Sequence, residues 1–265
     1  LPAQCGTAVV SITINPVNDP PVVVGESYTN VVGNTLLEVG VTHGSFPAVQ
    51  ASGNVLSNDS DPVENDVPLK ITAGTLTSTH GGSISMNADG TFTYLPAAGY
   101  SGADSFTYEV CDSGTPAACA DGTVSLTVNS VVWYVDNTAA AGGTGRSNAP
   151  FNSLSALQGA PDPDGTGDTI YLYTGSGSYG SGIPLEDSQR LLGQGVALVM
   201  SGTTLVPAGT APTINNGSGN SITLANSVIV DGVNVTITTG TAIASSSATG
   251  TITVDHMTLT NNGGT

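Results

Sequence analysis

Apolar and polar residues alternate in short runs along this chain, and glycine, asparagine or aspartate interrupts nearly every run. The runs at residues 83–86 and 91–94 flank the turn sequence Asn-Ala-Asp-Gly, a combination typical of a β-hairpin. The 35 glycines and 15 prolines favour turns and are unfavourable inside helices. The sequence therefore predicts an all-β protein.

Basic residues are scarce in this chain. The chain has three basic residues, Lys70, Arg146 and Arg190, and 20 acidic residues, so its net charge is −17. Nucleic acids and anionic lipid surfaces are bound through clustered cations, so neither partner is expected. No uninterrupted apolar run reaches the length of a membrane span, so membrane insertion is not expected either.

Two of the three cysteines, Cys111 and Cys119, bracket a short loop between strand-like segments at residues 105–110 and 123–128. This arrangement predicts a hairpin closed by a disulfide, which would place the chain in an oxidising, extracellular or cell-surface environment. The alternative is two free buried thiols. A metal site is disfavoured because no histidine or further cysteine lies nearby.

An internal repeat relates CGTAVVSITIN at residues 5–15 to CADGTVSLTVN at residues 119–129. Residues 1–15 are therefore predicted to be the last strand of a preceding repeat, followed by a proline-rich linker at residues 16–21. Val10, Ile12 and Ile14 alternate on one face and would serve as an assembly strand. The favoured expectation is a stretch of a longer multi-repeat protein; the alternative is a fibre subunit that donates this strand to a neighbouring copy. In both cases the partners are flanking repeats or neighbouring copies, and the natural partner of Cys5 would precede Leu1.

Several motifs of the first half occur in a characteristic order: VNDPPV, GNVLSNDSDP, NADGTFTYLPAAGYSGADSFTYEVCDSGTP and TVSLTVN. In this order residues 1–129 resemble the tandem bacterial Ig-like or cadherin-like repeats of large secreted surface proteins. The resemblance implies an Ig-like β-sandwich over residues 22–129, with an aromatic core of Phe92, Tyr94, Phe106 and Tyr108. The chain departs from the repeats at Gly25 and Glu26, where two acidic residues are usual.

The second half contains a different repeat. Val228, Val230, Asp231, Val233 and Val235 recur at constant spacing as Ile252, Val254, Asp255, Met257 and Leu259. Such a pattern predicts the stacked coils of a solenoid. A strand at residues 131–136 precedes them, and the segments YVDNTAAAGGTGRSNAPFNSLSAL, GDTIYLYTG and LLGQGVAL resemble the start of a right-handed parallel β-helix, as in pectin-lyase-like surface proteins. Residues 131–265 are thus expected to be the N-terminal part of a β-helix, with a short capping helix near residues 152–158 and Asn152 as its N-cap.

The acidic loop at residues 58–66 is the best metal candidate, because Ca²⁺ binds several closely spaced carboxylate and amide oxygens. The predicted calcium ligands are Asp59, Asp61, Glu64 and Asp66, joined by Asn18, Asp19 and Glu26 from the neighbouring segment. The alternative is a solvated acidic turn. A second acidic run, at residues 162–168, lacks the later glutamate of an EF-hand, so a plain loop is favoured there.

These features together predict a structural or adhesive segment of an extracellular fibre or cell-surface protein, with no catalytic residues. One alternative is a carbohydrate-active β-helix enzyme, a polysaccharide lyase or glycoside hydrolase, in which Asp231 and Asp255 stack as a carboxylate pair. Another is a carbohydrate-binding adhesin, in which Tyr171, Tyr173 and Tyr179 stack on sugars or on another cell-surface ligand.

Overall fold

The computed structural model describes residues 1–13, 17–42, 44, 46–158, 161–245 and 247–262. Within these ranges the protein is all-β, and its only helical element is a four-residue 3₁₀ helix, Leu154–Leu157. The first half contains β1 (Glu26–Gly33), β2 (Leu36–Val39), β3 (Ala48–Ala51), β4 (Lys70–Ile71), β5 (Gly74–Thr77), β6 (Ser83–Met86), β7 (Phe92–Leu95), β8 (Gly102–Cys111) and β9 (Cys119–Val135). The second half contains β10 (Thr169–Leu172), β11 (Ser178–Tyr179), β12 (Ile183–Pro184), β13 (Arg190–Gly193), β14 (Leu198–Met200), β15 (Thr203–Val206), β16 (Thr213–Ile214), β17 (Asn220–Thr223), β18 (Ile229–Asp231), β19 (Asn234–Ile237), β20 (Thr241–Ala244), β21 (Thr253–Asp255) and β22 (Thr258–Asn261).

Strands β1–β9 form two sheets that enclose a common core. One sheet has the order β3-β2-β7-β6-β5, and the other joins β4, β8, β9 and β1. The predicted hairpin is confirmed as β6–β7, with Gly90 in the left-handed region at a φ of 81°. The four predicted core aromatics are all buried, and Phe92 and Phe106 pack edge to face with their ring centroids 5.3 Å apart.

The predicted disulfide between Cys111 and Cys119 is confirmed, and it joins the ends of β8 and β9 at paired positions. Cys5 is exposed and free in this chain. Residues 1–13 are exposed and take part in no strand of their own chain, with Val10 at 80% and Ile12 at 82% exposure. Ile14, the third residue of the assembly strand, and the first residue of the linker lie outside the described residues. Pairing of this segment with another repeat stays a prediction.

Strand β9 crosses the expected boundary between the two halves. The segments at residues 123–128 and 131–136 were expected to be separate strands, but Cys119–Val135 is one strand of 17 residues. Its first part pairs with β8 and β1, and its last part pairs in parallel with β10. Val132 and Tyr134 join the buried cluster that contains the sandwich core, whereas Trp133 faces the interior of the second half.

The second half consists mainly of short parallel strands. They form three ladders, β9-β10-β13-β18-β21, β11-β16-β19-β22 and β12-β17-β20. In the first ladder Trp133, Ile170, Leu191 and Val230 stand in register and are buried in one apolar cluster. Each of these short strands therefore buries its apolar side chains against those of the strands paired beside it.

The antiparallel hairpin β14–β15 interrupts the parallel ladders. Leu198, Met200, Leu205 and Val206 of this hairpin are buried in the same cluster as the sandwich core. The expected capping helix near residues 152–158 is the 3₁₀ turn, and its N-cap is Ser153, not Asn152. The Ser153 side chain accepts the N–H of Ser155 at 3.1 Å, which satisfies a free amide at the start of the turn.

Candidate functional site

The first candidate ligand pair is Glu26 at the start of β1 and Asp59 in the acidic loop. One oxygen of each carboxylate is occupied: Glu26 Oε2 accepts the Tyr108 hydroxyl at 2.8 Å, and Asp59 Oδ1 accepts the Val24 N–H at 2.8 Å. The second oxygens, Glu26 Oε1 and Asp59 Oδ2, are buried and have no hydrogen-bond partner. A buried oxygen without a donor is costly, so the pair is suited to accept a cation.

The pKa values of Glu26 and Asp59 also favour a bound cation. Burial raises the pKa of Glu26, and the charge of Asp59 raises it further, against the opposing hydrogen bonds from Tyr108 and Asn58. Burial also raises the pKa of Asp59. Both carboxylates are therefore unfavourable in their charged form as they stand, and a bound cation would relieve this cost.

Gly25 explains why the usual second acidic residue is missing before Glu26. Strand β1 lies parallel to β9, and a Cβ atom at Gly25 would lie 2.6 Å from the carbonyl oxygen of Thr123. That distance is shorter than van der Waals contact, so the close approach of the two backbones excludes a side chain. Glu26 alone carries the charge at the start of this strand.

A second polar cluster surrounds Gly114, in the loop closed by the disulfide. Asn18 Nδ2 donates to Asp112 Oδ2 at 2.8 Å and to the carbonyl of Pro116 at 2.9 Å. A Cβ atom at Gly114 would lie 2.7 Å from Asp66 Oδ2, so the side chain of Asp66 packs against the disulfide-closed loop. Asn18 Oδ1 is buried and has no partner. The linker is thereby tied to the β8–β9 hairpin through amide and carboxylate groups.

The predicted ligands are thus divided between two places. Asp61 is buried, and its carboxylate accepts the N–H of Asp66 at 2.9 Å and of Val63 at 3.4 Å, which closes a turn. Glu64 accepts the N–H of Asp19 at 3.4 Å, so Asp19 contributes its backbone there. The single seven-residue ligand set expected from sequence is not assembled as one group.

In the described ranges, the one group of three or more His, Cys, Asp or Glu residues whose ligand atoms lie within 4.8 Å of one another is that of Glu109, Cys111 and Cys119. Both sulfurs of that group are in the disulfide, so it holds no metal. A cation at Glu26 and Asp59 would therefore complete its shell with amide, backbone or water oxygens. Sequence reasoning placed Tyr108 in the core but missed the hydrogen bond of its hydroxyl to Glu26, and it missed Asp112. The Asp-Ser-Gly sequence of the loop is a turn signal that could have drawn attention to Asp112.

The tyrosines proposed as a sugar platform do not form one. Tyr171 and Tyr179 are buried, with 0% and 2% of their surface exposed, and Tyr173 is half-buried. The Tyr179 hydroxyl donates to the carbonyl of Tyr173 at 2.7 Å. All four residues of β10 are buried, so both faces of this strand are covered and Tyr171 is not available to a sugar. The expectation of an exposed tyrosine platform is wrong.

The carboxylates Asp231 and Asp255 do stack in register on adjacent strands, as predicted. His256 Nδ1 lies 2.8 Å from Asp231 Oδ1, and this hydrogen bond, with the charges of Asp255 and Asp231, raises the pKa of His256. Arg190 begins β13. His256 and Asp255 are exposed, so the group lies at the surface, and it is an ion pair when His256 is protonated.

Comparison with known families gives one match. Residues 18–130 match the family model of the bacterial cadherin-like domain, which covers the sandwich, its linker and most of β9. No curated protein and no solved structure matches the chain. In the parts of the chain that the structure describes, no helix is both long enough and apolar enough to cross a membrane.

Proposed function

We propose that this chain is a non-catalytic structural or adhesive segment of an extracellular or cell-surface protein. Its residues 18–130 are a cadherin-like domain, and such domains are typical of extracellular and surface proteins. The observation that carries the proposal is β9, a single strand whose two ends are paired in the sandwich and in the parallel ladders. A continuous strand suits a protein that must hold two modules in a fixed relation.

The second half is, in this proposal, the start of a right-handed parallel β-helix. Three parallel ladders support it, since each would form one face of a coil. Register pairs such as Val230 with Val254 and Val235 with Leu259 support stacking of the repeat detected in the sequence. The apolar column of the first ladder would run along the interior of the coils.

Calcium would stiffen the cadherin-like domain at Glu26 and Asp59. The two unpartnered buried oxygens fit a hard cation, and the acidic loop and β1 would be held together through it. The cluster of Asn18, Asp66 and Asp112 would fix the linker beside it by hydrogen bonds. Within the predicted ligand set, Glu26 and Asp59 are the two carboxylates that each have a buried oxygen without a hydrogen-bond partner.

Chelation of calcium is expected to lower the melting temperature of the wild-type chain by about 3 °C, which corresponds to about 1 kcal/mol for a chain of this size whose two halves unfold together. The double variant Glu26→Gln, Asp59→Asn should lose most of this shift, because it lacks both charges. Asp121→Asn, an exposed substitution on β9, is the matched control and should keep it. Calorimetry with and without a chelator measures all three.

The pH dependence gives a second check on the same pair. Raised pKa values mean that the calcium-free protein gains stability as the pH falls through them, because protonation removes the cost of burial. The gain from calcium should therefore be larger at pH 7 than at pH 5. An unchanged melting temperature with chelator at pH 7 would show that these acids bind no calcium.

The partner in this proposal is a neighbouring copy or a flanking repeat, contacted through the N-terminal segment. Val10 and Ile12 are exposed on one face of an alternating sequence, and unpaired backbone accompanies them. Val10→Asp with Ile12→Asp should weaken self-association about tenfold or more, whereas Ser11→Asp on the opposite face should not. Sedimentation equilibrium measures the self-association constant of each variant. A wild-type chain that stays monomeric at high concentration would exclude contact between copies.

A further inference from the structure

The loop before β10 contains a buried acid that the calcium proposal does not use. Asp164 is 8% exposed, and its Oδ2 accepts the Gln189 side-chain amide at 2.8 Å. Its Oδ1 is buried and has no hydrogen-bond partner. The loop therefore directs one oxygen of a nine-tenths buried carboxylate to a position where no protein donor meets it.

A second carboxylate, that of Asp162, lies beside Asp164 and is exposed. Two like charges so close are unfavourable unless a proton or a cation lies between them. Because Asp162 is exposed, an ion from solution can reach the pair.

The surroundings hold this acid in place. Gln189 is fully buried; its Nε2 also donates to the carbonyl of Gly165 at 3.1 Å, and its Oε1 accepts the N–H of Glu186 at 2.8 Å. Asp168 Oδ2 accepts the N–H of Gly165 at 3.0 Å and the indole N–H of Trp133 at 2.8 Å. Asp168 thus holds the loop in place, and Asp162 and Asp164 remain to bind a cation.

We propose that Asp162 and Asp164 form a second calcium site, separate from Glu26 and Asp59. The donors are oxygens, and the run at residues 161–168 contains no histidine or cysteine, which favours a hard cation over zinc or copper. The two carboxylates would supply the charged ligands, and backbone carbonyls and water would complete the shell.

The position of this site connects it to the joint between the two halves. A Cβ atom at Gly99, in the sandwich, would lie 3.2 Å from the Trp133 ring and 3.6 Å from the carbonyl oxygen of Pro163, which stands between the two acids. A cation there would order the loop where it packs against the sandwich. It would stabilise the joint, whereas a cation at Glu26 would act inside the sandwich.

Terbium luminescence tests this site selectively. Trp133 is the only tryptophan of the chain. Its indole N–H donates to Asp168, which belongs to the same loop as Asp162 and Asp164. Excitation at the red edge of the tryptophan band, where tyrosine absorbs little, should give saturable terbium emission that calcium displaces. Asp164→Asn and the exposed variant Asp162→Asn should each weaken terbium binding about tenfold or more.

The double variant Glu26→Gln, Asp59→Asn is the matched control and should keep the tryptophan-sensitised signal. Failure of the first site leaves this signal intact, so the two proposals are tested separately. Circular dichroism confirms folding of each variant, and Asp162→Asn covers the case in which the buried substitution does not fold. Absence of emission from the wild-type chain, as a shared proton without metal would give, overturns the second site. So does full binding by both Asp162→Asn and Asp164→Asn.

Discussion

Replacement of Tyr134 by alanine is expected to lower the free energy of unfolding by about 4 kcal/mol, the usual cost of removing a fully buried aromatic ring. Tyr134 is 0% exposed and belongs to the same buried cluster as the sandwich core, although it pairs with Tyr171 of the parallel ladder. Its ring also lies 6.4 Å from that of Tyr173. The cavity would therefore open between the halves and weaken both.

Tyr134→Phe is the matched control for this substitution. It keeps the ring but removes the hydroxyl that lies 2.8 Å from Thr35 Oγ1, and it should cost about 1 kcal/mol. Urea unfolding followed by Trp133 fluorescence and by far-UV circular dichroism measures both variants. If the halves share one core, the two probes will shift together. A loss below 1 kcal/mol in the alanine variant, or a shift in only one probe, would contradict the shared core.

Replacement of Asp104 by asparagine should destabilise the chain by about 3 kcal/mol, because it removes a buried charged acceptor. The carboxylate is inaccessible to solvent and accepts hydroxyl hydrogen bonds from Ser78 at 2.5 Å, Tyr94 at 2.6 Å and Thr79 at 2.8 Å. It also accepts the N–H of His80 at 3.0 Å. The amide of asparagine would turn a donor toward these donors. Asp121→Asn, exposed on β9, should cost little.

The pH dependence of Asp104 has a definite sign. Burial raises the pKa of its carboxyl, but the hydrogen bonds from Ser78, Tyr94 and Thr79 outweigh burial and hold it well below the usual range. The stabilisation is therefore complete above about pH 4, the ordinary value for aspartate, and is lost as the pH falls through the lowered folded pKa. The gap between wild type and Asp104→Asn in urea unfolding should shrink as the pH falls below 4. A gap that stays constant down to pH 2 would contradict this role.

Short-range sequence patterns were enough to predict several elements of the fold. Alternation around Asn87–Gly90 predicted a hairpin because turn and strand preferences act within a few residues, and the structure has it. The spacing of Cys111 and Cys119 likewise predicted their bond, since a short loop brings its own ends together. The Asp231 and Asp255 register followed from the repeat, because parallel pairing of the repeated segments β18 and β21 places equivalent positions side by side.

The candidate sites depend on contacts that no local pattern encodes. Whether Asp164 is buried depends on Gln189, which lies in another part of the chain and reaches it only in the folded state. Gly25 lacks a side chain because of the backbone of Thr123, again a distant neighbour. Alternation shows that Tyr171 is on one face of its strand, but a strand covered on both sides buries both faces.

The length of β9 has a mechanical consequence. Seventeen residues of extended chain span about 55 Å, and this backbone passes from the sandwich into the ladders without a turn. Tension along it would load the hydrogen bonds to β8, β1 and β10 in shear, so that many must break together. Tension across it would peel them one at a time. The joint should accordingly resist stretching along the strand far better than prying from the side.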